Sequence, residues 1–327
     1  MTTITQVQSL EFVNPAWAHQ RKYLDANAVR CRRTLHGGEG RGLTVLICGA
    51  GPSLKDTFLP TYAETSPDAV WGCNSALRWL WQEKLPVSHG FACAGEEGLL
   101  DDWKPFPPVQ YYVSSGIWPV IPQLLDRRHR RVWFYHVILS RKAGFADESA
   151  ERTYYAKHYL SALCVMPTGG FNVTNIAVAV ALGMGFARIL VAGADCCLAL
   201  SPEPRPDQED GTLDDAAYAE ANLAWKGRQR MYVDGRDPVT AFGPNVVIPD
   251  GVIAGRRFAS RPDMLLSAVH LVRLAQRFRH QVELVGDTLP NWLLRVPEPE
   301  WIDLMPRVEG ETVGNFKPVL ANPSEKA

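Results

Sequence analysis

The sequence predicts an α/β protein: a Rossmann-like, mostly parallel sheet with helices on both faces and a C-terminal helical and hairpin extension. Two observations predict it. Short apolar runs rich in β-branched residues alternate with longer helical patterns along most of the chain, as expected for strands buried on both faces and joined by crossover helices. The first such run, in VLICGAGPSLKD, passes directly into a glycine-rich bend of the kind that joins strand to helix in these folds.

Asn14 and Pro15 open a helix whose apolar face is Trp17, Tyr23, Leu24 and Ala28, extending to about residue 35. A glycine-rich break, HGGEGRG, leads into a buried strand at 43–48. Beyond it the pattern predicts a helix at 75–84, strands at 87–93 and 110–114, a helix at 118–127 and a strand at 131–138. A polar, tyrosine-rich helix follows at 148–160, then a helix at 172–183 so apolar that it must be buried, and a strand at 188–193. The stretch SPEPRPDQEDGTLDD combines proline with acid and cannot pack a core, so 199–215 reads as a lid or insertion. A helix at 216–230, a hairpin within 233–248 turning at Asp234 and Gly235, an amphipathic helix at 261–279 and a strand at 281–285 complete the pattern. The organisation expected is an N-terminal helical segment (1–40), a nucleotide-binding transferase domain (41–295) and a loosely attached tail (296–327).

At 327 residues, 46% hydrophobic and 21% charged, the chain falls in the globular range, and disorder as its main state is excluded. Lys+Arg 34 against Asp+Glu 35 leaves a net charge of -1 and no global field for a nucleic-acid backbone, although a local basic groove is compatible with it. The most apolar segment, 176–187, ends at Arg188, short of the roughly 18 residues of a membrane span. The first residues lack the basic start and apolar core of a secretion signal. Seven cysteines without a CxxC pair, two of them the adjacent Cys196 and Cys197, read as reduced thiols of a cytoplasmic protein, with neither a zinc site nor a disulfide framework. An oligomer is compatible with all of this.

Gly49, Ala50, Gly51, Pro52 and Ser53 follow the first strand, where a bend without Cβ atoms lets successive N–H groups converge on phosphate oxygens. The bend is not a Walker A loop, since GxxxxGK[ST] is absent. It is also a poor dinucleotide fingerprint: Leu54 holds the place of the third glycine, and the second strand ends in Trp71, Gly72, Cys73 and Asn74 with no acid for a ribose. A tight strand-to-helix turn alone would also use two glycines. Asn74 suits either a helix N-cap or a hydrogen bond to a base or sugar, and the two are compatible. Thr168, Gly169 and Gly170 precede the apolar helix and make a second candidate anion turn, the alternative being a Thr cap with glycines fitted for packing. Asp195 ends the following strand, where ionisation requires a hydrogen bond, a metal or a cleft; its position favours the cleft and a catalytic carboxylate, the alternative being a loop-capping Asp. Among eight histidines, His136 near the end of an aromatic strand is the best general-base candidate, against the commoner role of a packed core residue. Tyr154, Tyr155, Lys157 and His158 would line either a lid or a solvated helix face, and His270 reads as packed.

GAGPSLKD after one strand, CNSAL after the next, and TGG with the buried helix and ILVAGAD resemble the superfamily of MptE-like 6-hydroxymethylpterin pyrophosphokinases, Maf flagellin glycosyltransferases and bacterial lipooligosaccharide sialyltransferases. The resemblance covers about 40–290. It implies that Gly49, Gly51, Pro52, Ser53, Asn74, Thr168, Gly169, Gly170 and Asp195 surround a nucleotide. In the sialyltransferase branch a histidine deprotonates the acceptor and tyrosines stabilise the leaving phosphate, for which His136, Tyr154 and Tyr155 are loose candidates. In the pterin branch ATP and Mg²⁺ transfer a pyrophosphoryl group with help from strand-end carboxylates. Here the third strand runs into AGEEG, leaving Glu96, Glu97 or Asp195 for a metal, and Ala50 stands where the sialyltransferases carry Asn. The expected function is transfer from a nucleotide sugar to a hydroxyl acceptor. Pyrophosphoryl transfer from ATP and a catalytically silent nucleotide-binding or assembly protein are the alternatives.

Overall fold

The computed structural model describes residues 20–93, 99–100, 103–139, 143–159, 163–165, 172–197, 246–248, 258–260 and 262–301. After helix α1 (Gln20–Ala28) the chain alternates β1 (Thr44–Cys48), α2 (Leu54–Thr65), β2 (Ala69–Cys73), α3 (Ser75–Gln82) and β3 (His89–Ala92). Next come β4 (Gln110–Ser114), α4 (Val120–Arg127), β5 (Arg131–Val137), α5 (Glu148–His158), β6 (Cys164–Val165), α6 (Val173–Met184) and β7 (Arg188–Ala192). A ribbon of β8 (Val246–Ile248) and β9 (Phe258–Ser260) precedes α7 (Pro262–Arg277), β10 (Val282–Leu284), α8 (Leu289–Leu293) and α9 (Glu298–Trp301).

Eight strands form one sheet in the order β10-β7-β1-β2-β3-β4-β5-β6, and every pairing is parallel. Alternation along each strand divides the core into two layers. Leu46 and Cys48 face Leu54 and Phe58 of α2 and Ala76 and Leu80 of α3. Val45 and Ile47 face the other way, with α6 and Leu271, Leu274 and Ala275 of α7. On that second side Trp71, fully buried, stacks on Phe91 (5.6 Å) and meets Tyr112 and Phe186 edge-on. The α/β class and the parallel sheet expected from the sequence are what the structure contains.

Local departures have local causes. Helix α2 escapes the sequence pattern because Pro60 interrupts its interior and its buried positions are only Leu54, Phe58 and Thr61. Strand β6 has two residues, too few for a period. Val246–Ile248 pairs antiparallel with Phe258–Ser260, while the Asp234–Gly235 turn and the expected helix at 216–230 lie outside the described residues, as does the lid at 199–215. Trp301 of α9 is fully buried in one cluster with Leu265 and Val269 of α7.

Chain order reverses at β1. From there the chain proceeds through β2 to β6 on one side and returns to β7 and β10 on the other, so the switch point lies between β1 and β7. The loops leaving these two strands meet closely: a Cβ on Gly51 would fall on Asp195 Oδ2 and stand 2.6 Å from Gly193 O. Gly193 itself has φ +66, a conformation that favours glycine. Gly51→Ala should therefore lower the unfolding free energy by roughly 1–3 kcal/mol in urea denaturation with an unchanged m-value. A loss within the error of the measurement would show that the two loops are not locked.

Candidate functional site

The carboxyl ends of β7, β1 and β2 carry the candidate site. Three bonds join the first two. Gly49 N–H donates to Ala192 O (2.8 Å), Gly51 N–H to Gly193 O (2.7 Å) and Ser53 N–H to Asp195 Oδ2 (3.2 Å). Leu54 N–H turns back to Gly51 O (3.1 Å), and Pro52 has no N–H, which leaves that of Ala50 without an internal partner among the described residues. The bend thus does not present the row of free amides that its sequence predicts. The amides of Gly51 and Ser53 are taken by the β7 loop, and a carboxylate stands where an anionic ligand would.

That carboxylate is 5% exposed. Burial raises the Asp195 pKa to about 6, against the opposing pull of Ser53, while Asp287 nearby reinforces the rise. The Ser53 hydroxyl is buried beside it without a hydrogen bond of good geometry. Gly49 also adjoins the start of α6, since a Cβ there would come within 3.0 Å of Thr174 Oγ1. The cap of that helix is Asn172, whose side chain accepts from Thr174 N–H (2.9 Å). Thr168, Gly169 and Gly170, four to two residues upstream of this cap, lie outside the described residues, as do Glu96 and Glu97.

Asn74 closes β2 in an unusual way. Its φ of 47 and ψ of -122 belong to a region that glycine prefers, and its side chain makes no cap bond, so the N-cap reading fails in its usual form. Asn74 N–H donates to Phe91 O (3.0 Å), yet Oδ1 is buried with no partner. A strained backbone that holds an unsatisfied acceptor at the edge of a parallel sheet is an arrangement found where ligands bind.

His136 is not brought to this cluster. It lies on β5, four strands from β1, roughly 19 Å away at a strand spacing of about 4.8 Å. Its Nδ1 bonds Ser115 Oγ (2.8 Å), its ring stacks on Tyr155 with centroids 3.9 Å apart, and burial lowers its pKa to about 3. Tyr155 is anchored in turn by Glu151 Oε1 (3.0 Å), and both are buried. Lys157 and His158 are on the exposed face of α5. His270 is packed in α7, its pKa lowered to about 4 by burial. Sequence reasoning missed Thr174, legible only in its NxT spacing from Asn172, and the carbonyl of Gly193, which no sequence signal reveals.

No family model matches the chain, and no curated protein matches its sequence. Among solved structures it is similar to the Maf glycosyltransferase from Magnetospirillum magneticum AMB-1, with a TM-score of 0.51 at 15% identity. The similarity covers 90% of this chain and 42% of that one, so the chain spans less than half of that protein's length. Such a likeness establishes a shared Rossmann-like α/β fold. No helix among the described residues is long and apolar enough to cross a membrane.

Two stability predictions separate this site from an inert turn. The folded-state pKa of Asp195 is raised from 3.8 to about 6, so the fold disfavours its charge. Below 3.8 both states are protonated and nothing is lost. Stability then falls up to about pH 6 as the unfolded chain alone ionises, and a penalty on the order of 3 kcal/mol persists above. Asp195→Asn should raise the melting temperature near pH 7.5 and leave it unchanged near pH 3.5; a loss of stability at neutral pH would contradict the assignment. Asn74→Gly should stabilise by about 1 kcal/mol through relief of backbone strain, again read by melting. Destabilisation would mean that the amide side chain holds the turn instead of serving a ligand.

Proposed function

We propose that the chain is a nucleotide-dependent transferase that binds an activated donor, a nucleotide sugar, at the β7–β1–β2 edge and moves its glycosyl group to a hydroxyl acceptor. The observation that carries this reading is the convergence at the switch point of two bends, the start of α6 and an unpartnered Asn74 Oδ1. The balance of donors and acceptors refines the picture. Asn74 Oδ1 is an acceptor, suited to a ribose hydroxyl or an exocyclic amine. The donor's phosphates then belong nearer the 168–170 turn, ahead of the helix that Asn172 caps.

Asp195 also serves as the base. With a pKa of about 6 it is ionised at neutral pH yet basic enough to take a proton from an acceptor hydroxyl, which general-base catalysis requires. His136, held near pKa 3 and four strands away, is poorly suited to that role. Asp195 with Asp287 nearby could contribute to a Mg²⁺ site together with donor phosphates, but no group of three ligating side chains forms among the described residues, and no step here runs through a metal.

A thermal-shift panel of CMP-, UDP- and GDP-sugars and ATP, each with and without Mg²⁺, should reveal the donor by mass-action stabilisation. Hydrolysis of that donor without acceptor then reads turnover. Free nucleotide from a nucleotide sugar is the expected product, lost by roughly 100-fold or more in Asp195→Asn and retained in His136→Phe. AMP from ATP would instead identify pyrophosphoryl transfer, and binding without turnover would identify a silent nucleotide-binding protein.

A further inference from the structure

The opposite edge of the sheet carries a concentration of charge that the proposed reaction does not use. Strand β5 begins at Arg131 and is entered from α4 through Arg127, Arg128, His129 and Arg130, so every position of 127–131 is basic. Arg127, Arg128, His129 and Arg131 are exposed, on a turn whose His129 has φ 56. Along the other flank of β5, Phe134 N–H donates to Arg33 O (3.0 Å) and Leu35 N–H to Phe134 O (2.9 Å). Exposed Arg32 and Arg33 therefore run beside the amino-terminal half of the same strand, with Arg30 just before them.

Residues 30–33 and 126–131 together hold seven arginines and one histidine against the single acid Asp126, in a chain whose net charge is -1. None of these arginines forms an ion pair among the described residues; Arg128 instead lies over the Phe106 ring at 4.9 Å. Cations this dense, within a Debye length of one another and with no ion pair among the described residues, repel, and an external polyanion relieves the repulsion.

We infer that this edge docks on the surface of an anionic lipid bilayer. Lipid is favoured over nucleic acid by the apolar surface set among the cations: Val29, 79% exposed, directly precedes Arg30, and half-buried Trp133 follows Arg131 on β5. An apolar side chain flanked by cations suits the headgroup boundary, where charge attraction and shallow insertion act together. The attachment is peripheral, and because the strands are parallel it leaves the carboxyl edge with Asn74 and Asp195 facing away from the lipid. This inference is independent of the proposed reaction.

Cosedimentation of the full chain with vesicles tests it. Binding is expected to vesicles containing about a third phosphatidylglycerol, to be weakened by salt, and to be absent with phosphatidylcholine alone. Arg127→Gln/Arg128→Gln/Arg131→Gln should weaken binding on the order of 100-fold without lowering the melting temperature or changing the nucleotide thermal shift. Arg32→Gln/Arg33→Gln, on a separate segment, should weaken it on the order of 10-fold, which guards against a folding defect in the triple variant. Equal binding to neutral vesicles, no binding to anionic ones, variants that bind like the wild type, or tighter binding to duplex DNA at equal phosphate concentration would each overturn the assignment.

Discussion

The contact between the loops leaving β1 and β7 governs the rest of the molecule's chemistry. Two strands adjacent in the sheet but far apart in sequence send their loops over the same edge, and Gly51 N–H on Gly193 O with Ser53 N–H on Asp195 Oδ2 hold those loops together. The approach is so close that a side chain at Gly51 would occupy the carboxylate's own position. The amides of Gly51 and Ser53 are therefore structural, and the proposed chemistry rests on the side chains that the bend positions.

That shift changes what the site can recognise. A row of free amides would suit phosphate; an edge built from Asn74 Oδ1 and a buried carboxylate suits hydroxyl and amine donors. The same burial that makes Asp195 costly to ionise raises its pKa to about 6, the range that its proposed role as a base requires. In that proposal local instability and chemical competence have one origin.

Much of the sheet was legible because its strands are short, apolar and bounded by glycine or a polar residue: 110–114 coincides with β4, and the other expected strands differ only at their ends, while the two-residue β6 was not legible. The bends at Gly49–Ser53 and at Asp195 were legible for the same reason, as glycine and acid at strand ends. Sequence could not show that these bends bond to each other, since that depends on β7 crossing back to β1. Nor could it place His136. Period two put that residue on a buried strand, but its distance from the site is set by strand order, which local pattern does not encode. The strain at Asn74 was equally hidden, because an asparagine before a helix reads as a cap.

Amide NMR of the full chain, titrated with the nucleotide that stabilises it most, tests the central claim most directly. The account predicts shifts confined to 49–54, 74, 168–175 and 193–195, with the 131–137 strand silent. Shifts centred on His136 and Tyr155, or scattered without a focus at the β1–β7 junction, would contradict it.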